Sequence, residues 1–301
     1  MDTNVKILIT GGTGYLGSHL TEYLADQGYN VTALGRKEFI FKNKNINLLS
    51  KDVRELIFED LQGFSHIFHL AAISPNNKNN GVDEAEIYRQ NVESTLHLLE
   101  LIKNKSSSTK LIFSSSAGVY GRGSKRFSES CSFNPIDLYS CSKASCEQLI
   151  KVYAHKNSNI KPLILRIANI YGPGQKLGFV IPDTIARINQ SDSGLDGEIA
   201  VFNGQSVRDF IYIDDLIAAI SMALEKELTG TYNIGTGKPT LIIELASQLI
   251  RISKKQLVIK EENKNQDVNV LNISKIKKEG WTPQPSLKKG LKETYKSYLN
   301  N

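Results

Sequence analysis

The chain lacks any run of 18 or more apolar residues, which argues against a membrane-spanning helix. Its start, from Met1 into Val5, has no basic region followed by a long apolar stretch, so no secretory signal is expected. Cysteine is scarce. Cys131, Cys141 and Cys146 are odd in number and clustered without metal-ligand spacing, which predicts reduced thiols in a cytoplasm, with neither a disulfide framework nor a bound metal. An aromatic-basic nucleic-acid module is missing as well. The net charge of +6 comes from lysines spread along the chain, and it predicts a generally basic surface suited to a small phosphorylated ligand rather than a nucleic acid or membrane partner. What the chain has is length: 301 residues can bury a large core and divide into two lobes.

The most informative segment is Val5 to Gly17. Val5, Ile7, Leu8 and Ile9 form a short apolar run that reads as a buried parallel strand, and it passes through glycines into an amphipathic segment starting near Tyr15. Both Gly12-x-Gly14-x-x-Gly17 and Gly11-x-x-Gly14-x-x-Gly17 fit. The first glycines permit a tight turn beside a pyrophosphate, Gly17 permits close helix–strand packing, and the helix N-terminus supplies unpaired N–H groups. The segment predicts a dinucleotide site.

Strand-like and helix-like segments alternate beyond it. Strands are predicted at Val31–Leu34, His66–Leu70, Lys110–Ser114 and Leu163–Ile167, and helices at Tyr15–Gln27, Glu84–Lys103 and Asp137–Lys156. That order predicts an α/β fold with a doubly wound parallel sheet. Asn76–Gly81, Asn104–Thr109 and Ser191–Gly197 read as loops. After Gly172-Pro173-Gly174 the elements shorten, and two helical patterns, Leu241–Ile252 and Leu287–Leu299, close the chain. A smaller C-terminal substrate lobe is expected there.

Tyr139 and Lys143 are four residues apart and share one face of a helix. Upstream, Ser114-Ser115-Ser116-Ala117-Gly118-Val119-Tyr120-Gly121 ends a strand at the carboxyl edge of the sheet, where open α/β folds bind ligands. With Thr10–Gly17, Asp52-Val53, His69-Leu70-Ala71-Ala72, Asn91, Arg166 to Gly174, Arg208 to Asp215, Tyr232 to Gly235 and Gly280-Trp281, the chain resembles the extended short-chain dehydrogenase/reductase superfamily, in its nucleotide-sugar epimerase/dehydratase branch. The resemblance implies that Ser116 and Tyr139 contact the reacting oxygen, that Lys143 holds the nicotinamide ribose, and that Asn91 supports the lysine through water. It implies cofactor contacts from Gly11, Gly14, Tyr15, Leu16, Gly17, Leu70, Ala71, Ala72, Ser114 and Ile167, besides Tyr139 and Lys143.

Moving a hydride to or from a C–OH carbon requires a proton to move on its oxygen, and a free tyrosine, with a pKa of about 10, is too weak a base at neutral pH. Lys143 and a cationic nicotinamide are expected to favour the phenolate, where a shift of about 3 units is worth roughly 4 kcal/mol. The family's 4,6-dehydratases carry Thr-Asp-Glu where Ser116-Ala117-Gly118 stands. Its decarboxylases keep a glutamate, and its GDP-fucose-forming enzymes a cysteine, at the place of Gly118. The sequence therefore implies hydride chemistry at one carbon: an NADPH-dependent 4-ketoreductase of a nucleotide-linked deoxyhexose as the first expectation, and a nucleotide-sugar 4-epimerase with retained cofactor as the alternative.

NAD-using relatives end the second strand with an acidic residue. Here Gly35 and Arg36 occupy that place, which favours NADP over NAD by leaving room for a 2′-phosphate and offering a guanidinium to pair with it. Asp52 and Val53 are expected to flank the adenine. For a nucleotide-diphosphate sugar the resemblance implies Asn169, Arg208 and, in a shortened loop, Lys264, alongside Ser116. It also implies a homodimer, with residues 1–173 and 207–237 as the dinucleotide-binding domain and 174–206 and 238–301 as the substrate lobe.

Overall fold

The computed structural model describes residues 5–74, 83–123, 126–191, 197–263, 266–284 and 287–299. The expected loop at Asn76–Gly81, most of the one at Ser191–Gly197, and Lys264 lie outside the described residues. In chain order the elements are β1 (Lys6–Thr10), α1 (Tyr15–Asp26), β2 (Asn30–Gly35), β3 (Asn47–Ser50), β4 (His66–His69), α2 (Glu84–Lys103), β5 (Thr109–Ser116), α3 (Leu138–Lys156), β6 (Ile160–Ile167), β7 (Asn169–Tyr171) and α4 (Val180–Gln190). They continue as β8 (Glu198–Phe202), β9 (Val207–Arg208), β10 (Phe210–Tyr212), α5 (Ile213–Glu225), β11 (Gly230–Ile234), β12 (Thr240–Leu241), α6 (Ile242–Ser253), β13 (Val258–Glu262), β14 (Val268–Asn269), α7 (Ser274–Lys278) and α8 (Leu287–Leu299).

Seven strands form the central sheet in the order β11-β6-β5-β4-β1-β2-β3. β1 pairs in parallel with β2 on one side and β4 on the other, so the winding direction reverses between β1 and β4. Such a reversal is where an open α/β sheet leaves a crevice at its carboxyl edge. Ile7, Leu8 and Ile9 are fully buried, as a strand covered on both faces demands. Leu8, Leu34, Ile67, Leu111 and Phe113 from the sheet share one core cluster with Leu98 and Leu99 of α2 and Ile150 of α3.

The helices follow local physics. α2 carries Glu84 and Glu86 in its first turn and Lys103 in its last, which complements its dipole. Its buried residues Ile87, Asn91, Thr95, Leu98 and Ile102 recur at three- and four-residue spacing. α3 starts where the Asp137 carboxylate accepts the Ser140 N–H at 2.7 Å, an N-cap.

By internal packing the chain splits into two compact units. The first comprises residues 1–119, 135–166 and 220–232, and the second 120–134, 167–219 and 233–301. Within the second unit, β7 pairs with β10, β8 with β13, and β9 lies between β12 and β14. The apolar faces of α4, α6 and α8 supply Ile185, Leu245, Leu249 and Leu291 to its core. No helix among the described residues is long and apolar enough to cross a membrane.

Candidate active site

The loops that leave β1 and β4 flank the reversal point of the sheet. Gly11 adopts φ 70°, a left-handed conformation that favours glycine. A Cβ on Gly17 would lie 2.0 Å from the Gly11 carbonyl oxygen, so only glycine lets α1 start this close to the turn. Gly14 is the N-cap of α1, and Tyr15 and Leu16 form its first turn. These backbones border an open cavity of about 200 Å³ whose lining includes Gly11, Gly14, Arg36, Asp52, Val53, Ala71, Ala72 and Asn91. β4 ends at His69 rather than Leu70; the Leu70 N–H still bonds the Thr10 oxygen at 3.1 Å, which carries Ala71 and Ala72 to the cavity. The loop and the helix N-terminus fit the phosphates of a dinucleotide. Thr13, Lys51 and Arg54 also line the cavity and were not singled out in the sequence.

At the adenosine end, Gly35, Arg36, Asp52 and Val53 all line the cavity. A Cβ on Gly35 would meet Thr13 Oγ1 at 2.3 Å, so packing against the phosphate loop also calls for glycine there. Asp52 caps a single 3-10 turn, accepting the Arg54 N–H at 3.0 Å and the Arg54 Nε at 2.9 Å. The Arg54 guanidinium holds its carboxyl below the ordinary value. Arg36, whose side chain is 63% exposed, stands 3.9 Å from the same carboxylate.

The end of β5 carries the chemistry. Alternation along the strand sends Ser114 and Ser116 to one face and Ser115 to the other. Ser115 Oγ donates to Glu147 at 2.6 Å, and that carboxylate is forked by Arg166 at 2.9 and 2.8 Å in a fully buried pair. Ser114 offers its main-chain oxygen to Lys143 Nζ at 2.7 Å. Ser116 Oγ accepts the Gly118 N–H at 3.0 Å, and a Cβ on Gly118 would displace Ser140 Oγ, 2.3 Å away. No acid or base thus stands beside Ser116 at position 118.

Lys143 is buried, 4.7 Å from the centre of the Phe113 ring and 5.9 Å from that of Tyr139. Burial pushes its ammonium down to about 8. Tyr139 moves the other way: burial, helped by the Asp137 carboxylate, pushes its phenol up to about 12. The expected phenolate rests on Lys143 together with a cationic nicotinamide, and in the protein alone burial outweighs the lysine at the phenol.

Asn91 is buried on α2. Its side chain accepts the Ile73 N–H at 2.7 Å and donates to Ser142 Oγ at 3.1 Å, tying α2 to the loop after β4 and to the helix of Tyr139. Behind it, the Thr95 hydroxyl lies 2.9 Å from the Asn91 main-chain oxygen and 3.0 Å from His69 Nε2. His69 Nδ1 shares a hydrogen bond of 2.8 Å with the Thr10 hydroxyl. Burial and the Lys143 charge push the His69 ring down to about 3, which keeps it neutral.

Within the second unit, Asn169 Nδ2 donates to the Asp209 oxygen at 3.0 Å. Arg208 does not pair with its neighbour Asp209; it bonds Asp267 at 2.8 Å. Asp209 is fully buried, where its carboxylate receives the Thr236 and Gly237 N–H groups at 2.9 Å each. Ile167 is buried at the end of β6. Among the described residues, the cavity beside the glycine loop includes Asn91 but not Ser116, Tyr139 or Lys143, which cluster around the end of β5.

Known proteins are similar to this chain in sequence and in fold. The dTDP-D-glucose 4,6-dehydratase of Dictyostelium discoideum is 33% identical over 278 residues, which cover 82% of this chain but only 62% of that protein, less than two thirds of its length. The uncharacterized UDP-glucose epimerase YtcB of Bacillus subtilis (strain 168) is 32% identical over 313 residues, 95% of this chain and 96% of the relative. Among solved structures, the UDP-glucuronic acid 4-epimerase of Bacillus cereus in complex with UDP-glucuronic acid and NAD superposes with a TM-score of 0.87 at 29% identity, covering 98% of this chain and 99% of that one. Residues 7–235 match the NAD dependent epimerase/dehydratase family, and the chain belongs to it.

Proposed function

We propose that the protein is a UDP-sugar 4-epimerase that works with a retained NAD and acts as a homodimer through α2 and α3. The observation that carries the reaction type is the side-chain-free position 118 next to Ser116, with Tyr139 and Lys143 on the adjoining helix. Elimination or decarboxylation needs a further acid or base at the sugar ring, and hydride chemistry at one carbon does not. The choice of epimerase over the ketoreductase first expected is supported by the Bacillus cereus structure, which holds NAD and a UDP-sugar. The choice of NAD is supported by Gly35, whose lack of a side chain is accounted for by Thr13, and by Arg36, which faces the Asp52 carboxylate.

When bound, the nicotinamide ring supplies the place for the hydride removed from the sugar carbon. The protein supplies the rest. With the Gly118 N–H on its oxygen, the Ser116 hydroxyl is free to donate to the reacting oxygen. Tyr139 holds the proton that moves to or from that oxygen, and positive charge brought next to the phenol is needed to lower its pKa towards neutrality. Lys143, fixed by Ser114, is placed for the ribose hydroxyls. Arg208 binds the substrate diphosphate, and Asn169 bonds the main-chain oxygen of the next residue, Asp209, where β7 pairs with β10.

The proposal is tested by denaturing the purified protein, identifying the released dinucleotide by mass, and incubating intact protein with UDP-glucose or UDP-glucuronic acid without added cofactor. NAD and a C4-epimeric product are expected. Release of NADP with no interconversion would return the reading to a reductase, for which Arg36 and Lys51 in the cavity lining would supply the cations.

A further inference from the structure

Arg122 follows the Ser114–Gly121 motif directly. In the second unit it meets Arg208 on a single oxygen: Asp267 Oδ2 is 2.9 Å from Arg122 Nε and 2.8 Å from Arg208 Nη2. The other carboxylate oxygen accepts the Ser206 hydroxyl. Two guanidiniums on one carboxylate leave a net positive charge there.

The main chain, rather than a side-chain rotamer, brings Arg122 there. The Gly121 carbonyl accepts Asn269 Nδ2 at 2.8 Å, and the Gly123 N–H donates to the Val268 oxygen at 3.1 Å. Residue 122 is thereby pinned on both sides to β14, which in turn registers Val268 with Val207 and Asn269 with Arg208. Arg208 is equally fixed, with Nη1 donating to the Val207 and Asp267 carbonyls at 3.0 and 3.1 Å and Nη2 to the Asp267 carboxylate. Its Nε–H and second Nη2 hydrogen remain, and these two donors lie along one edge of the guanidinium, the fork that matches a phosphate. The terminal nitrogens of Arg122 have no partner among the described residues, and its side chain is 54% exposed.

We infer that Arg122 is a second cation of the diphosphate subsite, acting beside Arg208, with Asp267 as the bracket that holds the two guanidiniums side by side. The inference rests on the reading of the substrate as a nucleotide-diphosphate sugar. Its geometry suits two adjacent phosphoryl groups better than one, because two separate guanidiniums with hydrogens left over share one anchor.

The test is calorimetric titration of the intact protein with UDP, inorganic pyrophosphate and uridine. Arg122→Ala is expected to weaken UDP and pyrophosphate by tenfold or more and uridine by less than twofold, whereas Arg122→Lys recovers part of the loss, since a point charge keeps attraction but not the fork. In turnover assays the alanine variant is expected to raise KM for the UDP-sugar with kcat little changed. UDP and pyrophosphate binding equal to that of the unchanged protein would overturn the assignment. Binding is read without turnover, so a protein that needs Arg122 for UDP but interconverts no sugar refutes the proposed reaction and leaves the subsite standing. One that epimerises with an unchanged KM in Arg122→Ala refutes the subsite alone.

Discussion

The Ser116 hydroxyl oxygen accepts the Gly118 N–H at 3.0 Å, a bond that leaves the hydroxyl hydrogen for the proposed contact with a substrate oxygen. A donor placed for the reacting oxygen and lost by truncation costs about 10²–10³ in kcat. Ser116→Ala is expected to show that loss with little change in KM. Tyr139→Phe is expected to lower kcat by at least about a hundredfold while the dissociation constant of the dinucleotide stays within about twofold, because only the transferable proton is removed. Steady-state kinetics paired with cofactor titration checks both, and full activity in Tyr139→Phe would reject the proton-transfer role.

Lys143 gives a pH signature. Its buried ammonium titrates near 8 against an ordinary 10.5, so between those values the unfolded chain holds a proton that the native state does not. Stability therefore rises with pH across that window and carries the cost of the buried charge below it. Urea denaturation of the unchanged protein compared with Lys143→Met is expected to show the difference between them shift in favour of the lysine protein from pH 8 to pH 10.5. A difference that is flat or falls with pH would contradict the burial of a charged Lys143.

The Glu147–Arg166 fork holds α3 against β5 and β6, and with them the helix of Tyr139 and the serine strand. Arg166→Leu leaves the Glu147 carboxylate buried with Lys151, 3.6 Å away, as its remaining cation. A loss of about 3–5 kcal/mol is expected, and the double replacement Glu147→Leu with Arg166→Leu should cost less than the single one. Denaturant midpoints of the three variants decide it.

Arg36 tests the cofactor. If it paired a 2′-phosphate, Arg36→Ala would cost about 1.5–3 kcal/mol in NADP affinity. With NAD as the ligand, the variant is expected to bind NAD within about threefold of the unchanged protein, and the unchanged protein is expected to prefer NAD to NADP. Tighter NADP binding that collapses in Arg36→Ala would reverse the assignment.

The periodic parts of this chain were legible because they are local. The buried run Ile7–Ile9, the charge-complemented α2 and the helix face shared by Tyr139 and Lys143 follow from spacings of two, three or four residues, and the structure has each of them. The glycine loop was legible for the same reason. What escaped depends on which segments the sheet brings together. The contact of Gly35 with Thr13 escaped because Thr13 comes from another strand's loop. Asp209 stands next to Arg208 in sequence yet is buried under Thr236 and Gly237, while Arg208 finds Asp267. Arg122 carried no motif signal, and only the pairing of β14 with β9 sets it beside Arg208. The upward push of burial on the Tyr139 phenol was not legible, because desolvation depends on packing that spacing does not reveal.

The most direct test of the central claim follows one hydrogen. A UDP-hexose deuterated at C4 is incubated with the protein, with unlabelled NADH and NADPH in excess, and the product is analysed by mass and by the position of its label. An epimerase removes that deuterium and returns it to the other face, so the 4-epimer is expected to keep the label at C4 over many turnovers. No 4-epimer from the labelled UDP-hexose, together with one deuterium per product molecule when a 4-keto nucleotide sugar is supplied with NADPH deuterated on its nicotinamide, would contradict the account and identify a reductase.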